Sequence, residues 1–189
     1  MKQRHFGAFA LAVLCAGLAL PGTAQESAPP APAKQEDPWR LVRVLLGKWE
    51  GEARGEPGVG RSEREYRLTL KDRFVQVNGT TTYPPQEKNP KGEVHEDVGF
   101  LSYDKAVRKL VFRQFHVEGF VNHYVLDQSA EDGRTFSFET VGIENVPAGW
   151  KGRETYRIVS DDEFVETFAL APPGKGFETY SETRFRRKR

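Results

Sequence analysis

The chain holds few residues able to do chemistry. Apart from His5 near the N-terminus, its histidines are His95, His116 and His123. Neutral imidazole is a common metal and haem-iron ligand, and its charge changes near physiological pH. His116 and His123 lie on either side of Glu118-Gly119. If those two residues make a two-residue hairpin turn, residue 116 pairs with 121 and 114 with 123, and paired residues share a face. Gln114, His116, Val121 and His123 then line one face, while Phe115, Val117, Phe120, Asn122 and Tyr124 line the other. Were the first face interior, His116 and His123 would be axial or distal groups at a metal centre. The plainer reading buries the aromatic face and leaves both histidines in solvent. His95 shares a face with Asp97, opposite Glu96, which suits a structural or pocket-rim histidine.

The other candidates are weaker. Trp49 reads as packing at the end of a core, with Arg186 or Arg187 able to stack over it through cation–π attraction, and only secondarily as a ligand contact. Paired carboxylates at Asp161-Asp162, Glu63/Glu65 and Glu131-Asp132 fall at turns or on alternating positions, where a solvated face explains them better than acid–base catalysis. Gly-x-Ser-x-Gly, Gly-x-x-x-x-Gly-Lys-[Ser/Thr], Gly-x-Gly-x-x-Gly and His-Glu-x-x-His are all missing, which leaves little for an enzyme reading.

Elements must position these groups, and composition limits which. The chain has 189 residues, 28 Lys+Arg against 27 Asp+Glu, one Cys, and 12% aromatic residues. That content supports one globular domain, and the near-zero net charge excludes the polybasic field on which nucleic-acid binding depends. Lys2 and Arg4 precede an apolar run from Phe6 to Leu20, closed by Pro21 and Gly22-Thr23-Ala24. This pattern reads as a signal peptide over 1–24, too short for a stable membrane insertion. Its removal takes away Cys15, so the exported product, periplasmic or secreted, has no disulfide and no thiol. Residues 25–37, rich in Pro and Ala, read as a linker, and 38–187 as the folded domain.

In that domain one short helix is signalled by Asp37 as cap, Pro38 at the first position, the stripe Leu41, Val42, Leu45 and Leu46, and Gly47 as stop. Beyond it, segments rich in Val, Phe, Tyr and Thr, separated by Gly, Pro, Asp or Asn, read as ten strands at about 48–56, 62–71, 73–82, 94–103, 108–117, 120–128, 134–143, 150–159, 163–171 and 177–187. Tight turns make neighbours antiparallel, and closure of the meander into an up-and-down β-barrel removes both exposed edges. The loop Tyr83–Glu93, with three prolines, falls at one rim.

Two segments carry a resemblance across nearly the whole domain. Leu45-Leu46-Gly47-Lys48-Trp49-Glu50-Gly51-Glu52 resembles the opening of the calycin barrels, lipocalins and fatty-acid-binding proteins. Val94-His95-Glu96-Asp97-Val98-Gly99-Phe100-Leu101 resembles the corresponding segment of the nitrobindin group, haem-binding barrels related to the THAP-associated domain. The run Gly152–Arg157, then 162–171, Pro172-Pro173-Gly174 and an Arg-rich last strand are similar to that group in order and spacing. The resemblance implies a ten-stranded barrel and a haem held by a histidine on the last strand. Here Tyr180 stands in that place. Tyr ligates ferric haem as phenolate, and the exchange equally suits a barrel that carries another ligand.

Two functions follow as expectations: an exported binding module holding a small apolar ligand or haem, or a haem enzyme or sensor with the peroxynitrite or nitric-oxide chemistry the resemblance implies. The candidate site residues are Tyr180, His95, His116, His123 and Trp49. The export reading predicts a mature protein that starts at Gln25. N-terminal sequencing of the natural product checks it, and a chain recovered from the cytoplasm still beginning at Met1 overturns it.

Overall fold

A computed structural model describes residues 37–189; the segments read as signal peptide and, but for Asp37, as linker lie outside the described residues. Ten strands follow one short turn of 3₁₀ helix: β1 Gly47–Gly55, β2 Gly58–Thr69, β3 Phe74–Tyr83, β4 Glu93–Asp104, β5 Lys109–His116, β6 Val121–Ser129, β7 Thr135–Glu144, β8 Lys151–Ser160, β9 Glu163–Ala171 and β10 Glu178–Arg187. Each pairs antiparallel with its neighbour in sequence, and β10 returns to β1, closing the barrel. Among the described residues no helix is long and apolar enough to cross a membrane.

The expected helix shrinks to Arg43–Leu45, preceded by hydrogen-bonded turns. Asp37 does accept from the Trp39 amide, at 3.1 Å. The segment between Pro38 and Gly47 is too short for more than marginal helix, and the β-branched Val42 and Val44 within it disfavour one further.

Alternation sends every second side chain inward. On β2, Ser62, Arg64 and Tyr66 are buried while Arg61, Glu63 and Arg67 are exposed. On β3 the inward set is Val75, Val77, Gly79, Thr81 and Tyr83. Gly79 is there for space: a Cβ at that position would lie 2.2 Å from Asp97 Oδ2 on the neighbouring strand.

One end of the barrel is filled. Trp39, Leu41, Val42 and Leu45 from the N-terminal turns join Trp49, Tyr66, Phe112, Phe136, Phe138, Phe164 and Phe185 in one apolar core. Trp49 donates through Nε1 to the Leu45 carbonyl at 2.6 Å and meets Phe164 edge-on at 4.7 Å. The Arg187 guanidinium lies 4.1 Å from the Trp49 ring and donates to the Leu46 and Val44 carbonyls at 2.7 and 2.9 Å. Arg187 thus ties the last strand to the turn that closes the floor. Arg186 faces outward to Glu163.

At the other end, the Pro-rich loop folds onto the β1–β2 turn. Gln86 accepts from the Val59 amide at 2.9 Å and donates to the Val59 carbonyl at 3.0 Å, pairing with it as a strand would.

Since Trp49 is sealed on all sides, Trp49→Ala is expected to cost about 3–5 kcal/mol. Urea unfolding of wild type and variant measures it, and a loss under about 1 kcal/mol would contradict this packing.

Candidate functional site

The end opposite the Trp49 floor opens into a cavity of about 490 Å³, within the roughly 300–1,000 Å³ usual for small-molecule sites. Its mouth is largely apolar, with Pro57, Phe120, Ile143, Val146, Pro147, Trp150, Phe168 and Leu170. Its depth is polar, with Arg64, Asp97, Gln114, Asn122, Glu154 and Glu166.

The histidines divide differently from the expectation. The β5–β6 turn has three residues, Val117-Glu118-Gly119: the His116 amide donates to the Phe120 carbonyl at 3.1 Å, and the Gly119 amide to the His116 carbonyl at 2.8 Å. Gly119 takes φ +89°, the positive value that such a turn asks of its last residue. Phe115 therefore pairs with Val121, Gln114 with Asn122, and Arg113 with His123. The extra residue reverses the parity of β6 relative to β5. Gln114, His116, Asn122 and Tyr124 face inward, whereas Phe115 and Val117 are exposed. This corrects the two-residue turn and both faces drawn from it: His116 is interior, and His123 is exterior, paired with Glu144 at 2.6 Å.

His116 heads a hydrogen-bonded chain along the wall. Its Nε2 meets Asn122 Nδ2 at 3.1 Å, and Asn122 also donates to Tyr124 at 3.0 Å. Its Nδ1 is 3.3 Å from His95 Nε2, and His95 Nδ1 is 2.7 Å from Glu118 at the rim. Phe120 stacks on His116 with centroids 4.1 Å apart. Burial pushes the His116 imidazole down to about 4, against the pull of Asp97, so it is neutral at pH 7.

Sequence reasoning missed the depth of the cavity. Arg64 reaches Glu166 at 3.0 Å and Asp97 at 3.5 Å, and Asp97 accepts from Gln114 at 2.9 Å. Burial works against the charge on Arg64, but Glu166 and Asp97 more than offset it and hold the guanidinium's pKa above its ordinary value. Glu154 accepts from the Tyr156 hydroxyl at 2.6 Å. Burial, followed by the nearby Glu166, pushes Glu154 up to about 8. Glu166 is also raised by burial, with Arg64 opposing. The signal was present: if Glu63 and Glu65 face solvent, alternation puts Arg64 and Tyr66 inside, and the same applies to Glu154 and Tyr156 on β8.

Tyr180 lies at a break in the β9–β10 register, between Thr179 and Ser181. This irregularity lets Tyr180 and Ser181 both line the cavity, with Thr183 deeper, while Glu182 and Arg184 stay outside. Tyr180 stands edge-on to Phe168 at 6.0 Å. The structure thus brings His95, His116 and Tyr180 to one cavity and places His123 and Trp49 elsewhere.

No family model matches the chain, and no curated protein matches it. Among solved structures it is similar to Rv2717c from M. tuberculosis, with 19% identity and a TM-score of 0.61, covering 80% of this chain and 97% of that one. It also aligns with a de novo designed fluorescence-activating β-barrel (13%, TM-score 0.41, 78% and 97%) and with the S-type phycobiliprotein lyase CPES from Guillardia theta (15%, TM-score 0.49, 77% and 89%). The first likeness shows the barrel fold; the other two are too distant to add to it.

The buried carboxyl has a pH signature. Folded Glu154 keeps its proton up to about 8, whereas its unfolded value is 4.5. Between these values the folded state binds the extra proton, so stability falls as pH rises, by up to about 1.4 kcal/mol per pH unit. His116 acts with the opposite sign, but only below its unfolded value of 6.5. Glu154→Gln is therefore expected to flatten the stability profile between pH 6.5 and 8. Denaturant unfolding at several pH values tests it, and an unchanged slope refutes it.

Proposed function

We propose that this chain is an exported binding protein whose cavity takes a small organic molecule with an apolar body and a hydrogen-bonding head that is neutral or cationic. The observation that carries the reading is the layering of the cavity, an apolar mouth over a depth of polar groups. Three buried polar atoms there, Arg64 Nε, Gln114 Oε1 and Asn122 Oδ1, have no partner. Buried polar atoms without partners are costly; an amide head supplies partners to all three, and an ammonium head to the two amide oxygens. A carboxylate head is disfavoured, because Arg64 is already engaged by Glu166 and Asp97 and Glu154 adds a third carboxyl nearby. Export rests on the pattern of residues 1–24.

Haem, the cofactor that the nitrobindin-like resemblance implies, meets an unsuitable donor set. A tyrosine ligates ferric iron as phenolate. Burial, then Glu93, Glu56 and Glu118, push the Tyr180 phenol up instead of down. His116 has His95 and Asn122 within 3.3 Å of its two ring nitrogens and Phe120 stacked on one face, which leaves no flat opening for a macrocycle beside either nitrogen. A tetrapyrrole reading therefore ranks second to a smaller organic ligand.

Titration with molecules sharing one aromatic body and bearing an amide, an amine or a carboxylate tests the proposal, with tryptophan fluorescence reporting through Trp150 at the mouth. The amide or amine is expected to bind at least tenfold more tightly than the carboxylate, about 1.4 kcal/mol. Carboxylate preference, or no binding of any of the three, overturns it. Hemin titration belongs beside it: a Soret band that depends on Tyr180, lost in Tyr180→Phe, would restore the haem reading.

A further inference from the structure

We propose that His95 and His116 form a binding site for a divalent transition-metal ion of the zinc class at the mouth of the cavity, with Glu118 positioning His95. The ligand atoms are His95 Nε2 and His116 Nδ1.

Geometry carries the assignment. Zinc–imidazole bonds are about 2.0–2.1 Å long, so two nitrogens on one tetrahedral ion stand about 3.3–3.4 Å apart. His95 Nε2 and His116 Nδ1 are 3.3 Å apart. One ligand atom from each of His95, His116 and Glu118 falls within 4.8 Å of the others. The strand register makes this possible: Asp97 pairs with His116 on β4 and β5, and continuing it two residues sets His95 opposite Glu118.

The surroundings hold both rings in place. Glu118 accepts from the far nitrogen of His95 at 2.7 Å, the carboxylate–imidazole–metal arrangement that fixes a ligand's tautomer and raises its basicity. Phe120 covers His116, leaving the ring little freedom to swing. A metal on His116 Nδ1 moves that ring's proton to Nε2, which then needs an acceptor. Asn122 Oδ1 is buried without a partner, and turning that amide over brings it to Nε2. The remaining coordination positions face the cavity, open to water or to the head of a bound molecule. Metal binding is measurable with no organic ligand in the cavity.

The test uses the full chain without a polyhistidine tag, stripped with chelator and titrated with Zn²⁺ by calorimetry and with Co²⁺ by visible absorption. One ion per chain is expected. His95→Ala and His116→Ala should each weaken binding at least tenfold, and Glu118→Gln by about 10–100-fold. His123→Ala, which removes an exposed histidine that also faces a glutamate, should leave binding unchanged. Circular dichroism confirms that each variant is folded; if His116→Ala is not, the half-exposed His95 and Glu118 variants decide alone. Absence of binding in the wild type, binding that survives His95→Ala, or loss in His123→Ala overturns the site.

Discussion

The seam between β1 and β10 is the constraint on which the rest of the molecule depends. Trp49 stands opposite Arg187 and Gly55 opposite Ser181, with the register unbroken between them. Without this seam the meander would be an open sheet with two bare edges, prone to pair with other chains. With it, all ten strands share one inside. The register also carries Arg187 over Trp49, where the guanidinium caps the floor and holds the N-terminal turn by its carbonyls. Backbone closure and closure of the lower end are therefore one event.

The interior is divided along its axis for a physical reason. The closed half has no access to water, and its contacts are aromatic and aliphatic. The open half carries a guanidinium and three carboxyl groups. Arg64 from β2 links Asp97 of β4 and Glu166 of β9 across the lumen. Desolvating such groups costs about as much as their pairing returns, so apolar residues of similar size would serve stability as well or better. Their placement beside an opening is what the ligand site proposed above calls for. The raised pKa of Glu154, about 8, shows how the excess of acid is tolerated: a proton stands where a cation is missing.

Much of the fold was legible in the sequence because its turns are chemically marked. Glycine, proline and aspartate between Val-, Phe- and Tyr-rich runs located ten strands, though β2 begins at Gly58, well ahead of its expected start near 62. The site was less legible. Alternation assigns two faces to a strand but does not say which is inside unless the neighbouring register is known. At β5–β6 a single residue decided it, and at Tyr180 a register break let adjacent residues serve one cavity. Arg64 and Glu154 were readable by alternation along their strands; charge argued against burying either, and pairing with Glu166 and Asp97 removes that objection for Arg64 as a retained proton does for Glu154.

The same turn determines what the mouth can do. A two-residue turn would have kept His116 and His123 on one face, with Glu118 at a turn corner. The three-residue turn, ending in Gly119 at φ +89°, turns His123 outward. Glu118 then continues the β5 register, and the Val117 amide, donating to the Glu96 carbonyl at 3.0 Å, holds it there. His95, two residues before Asp97 on β4, faces Glu118 for that reason alone. The line from Glu118 through His95 and His116 to Asn122 and Tyr124 thus follows from one added residue and the backbone conformation that a glycine permits. A side chain at 119 would meet no steric obstacle, since nothing lies within 4 Å of its Cβ. The constraint at this position is conformational, set by the sign of φ, and through it the turn dictates which histidines share the cavity.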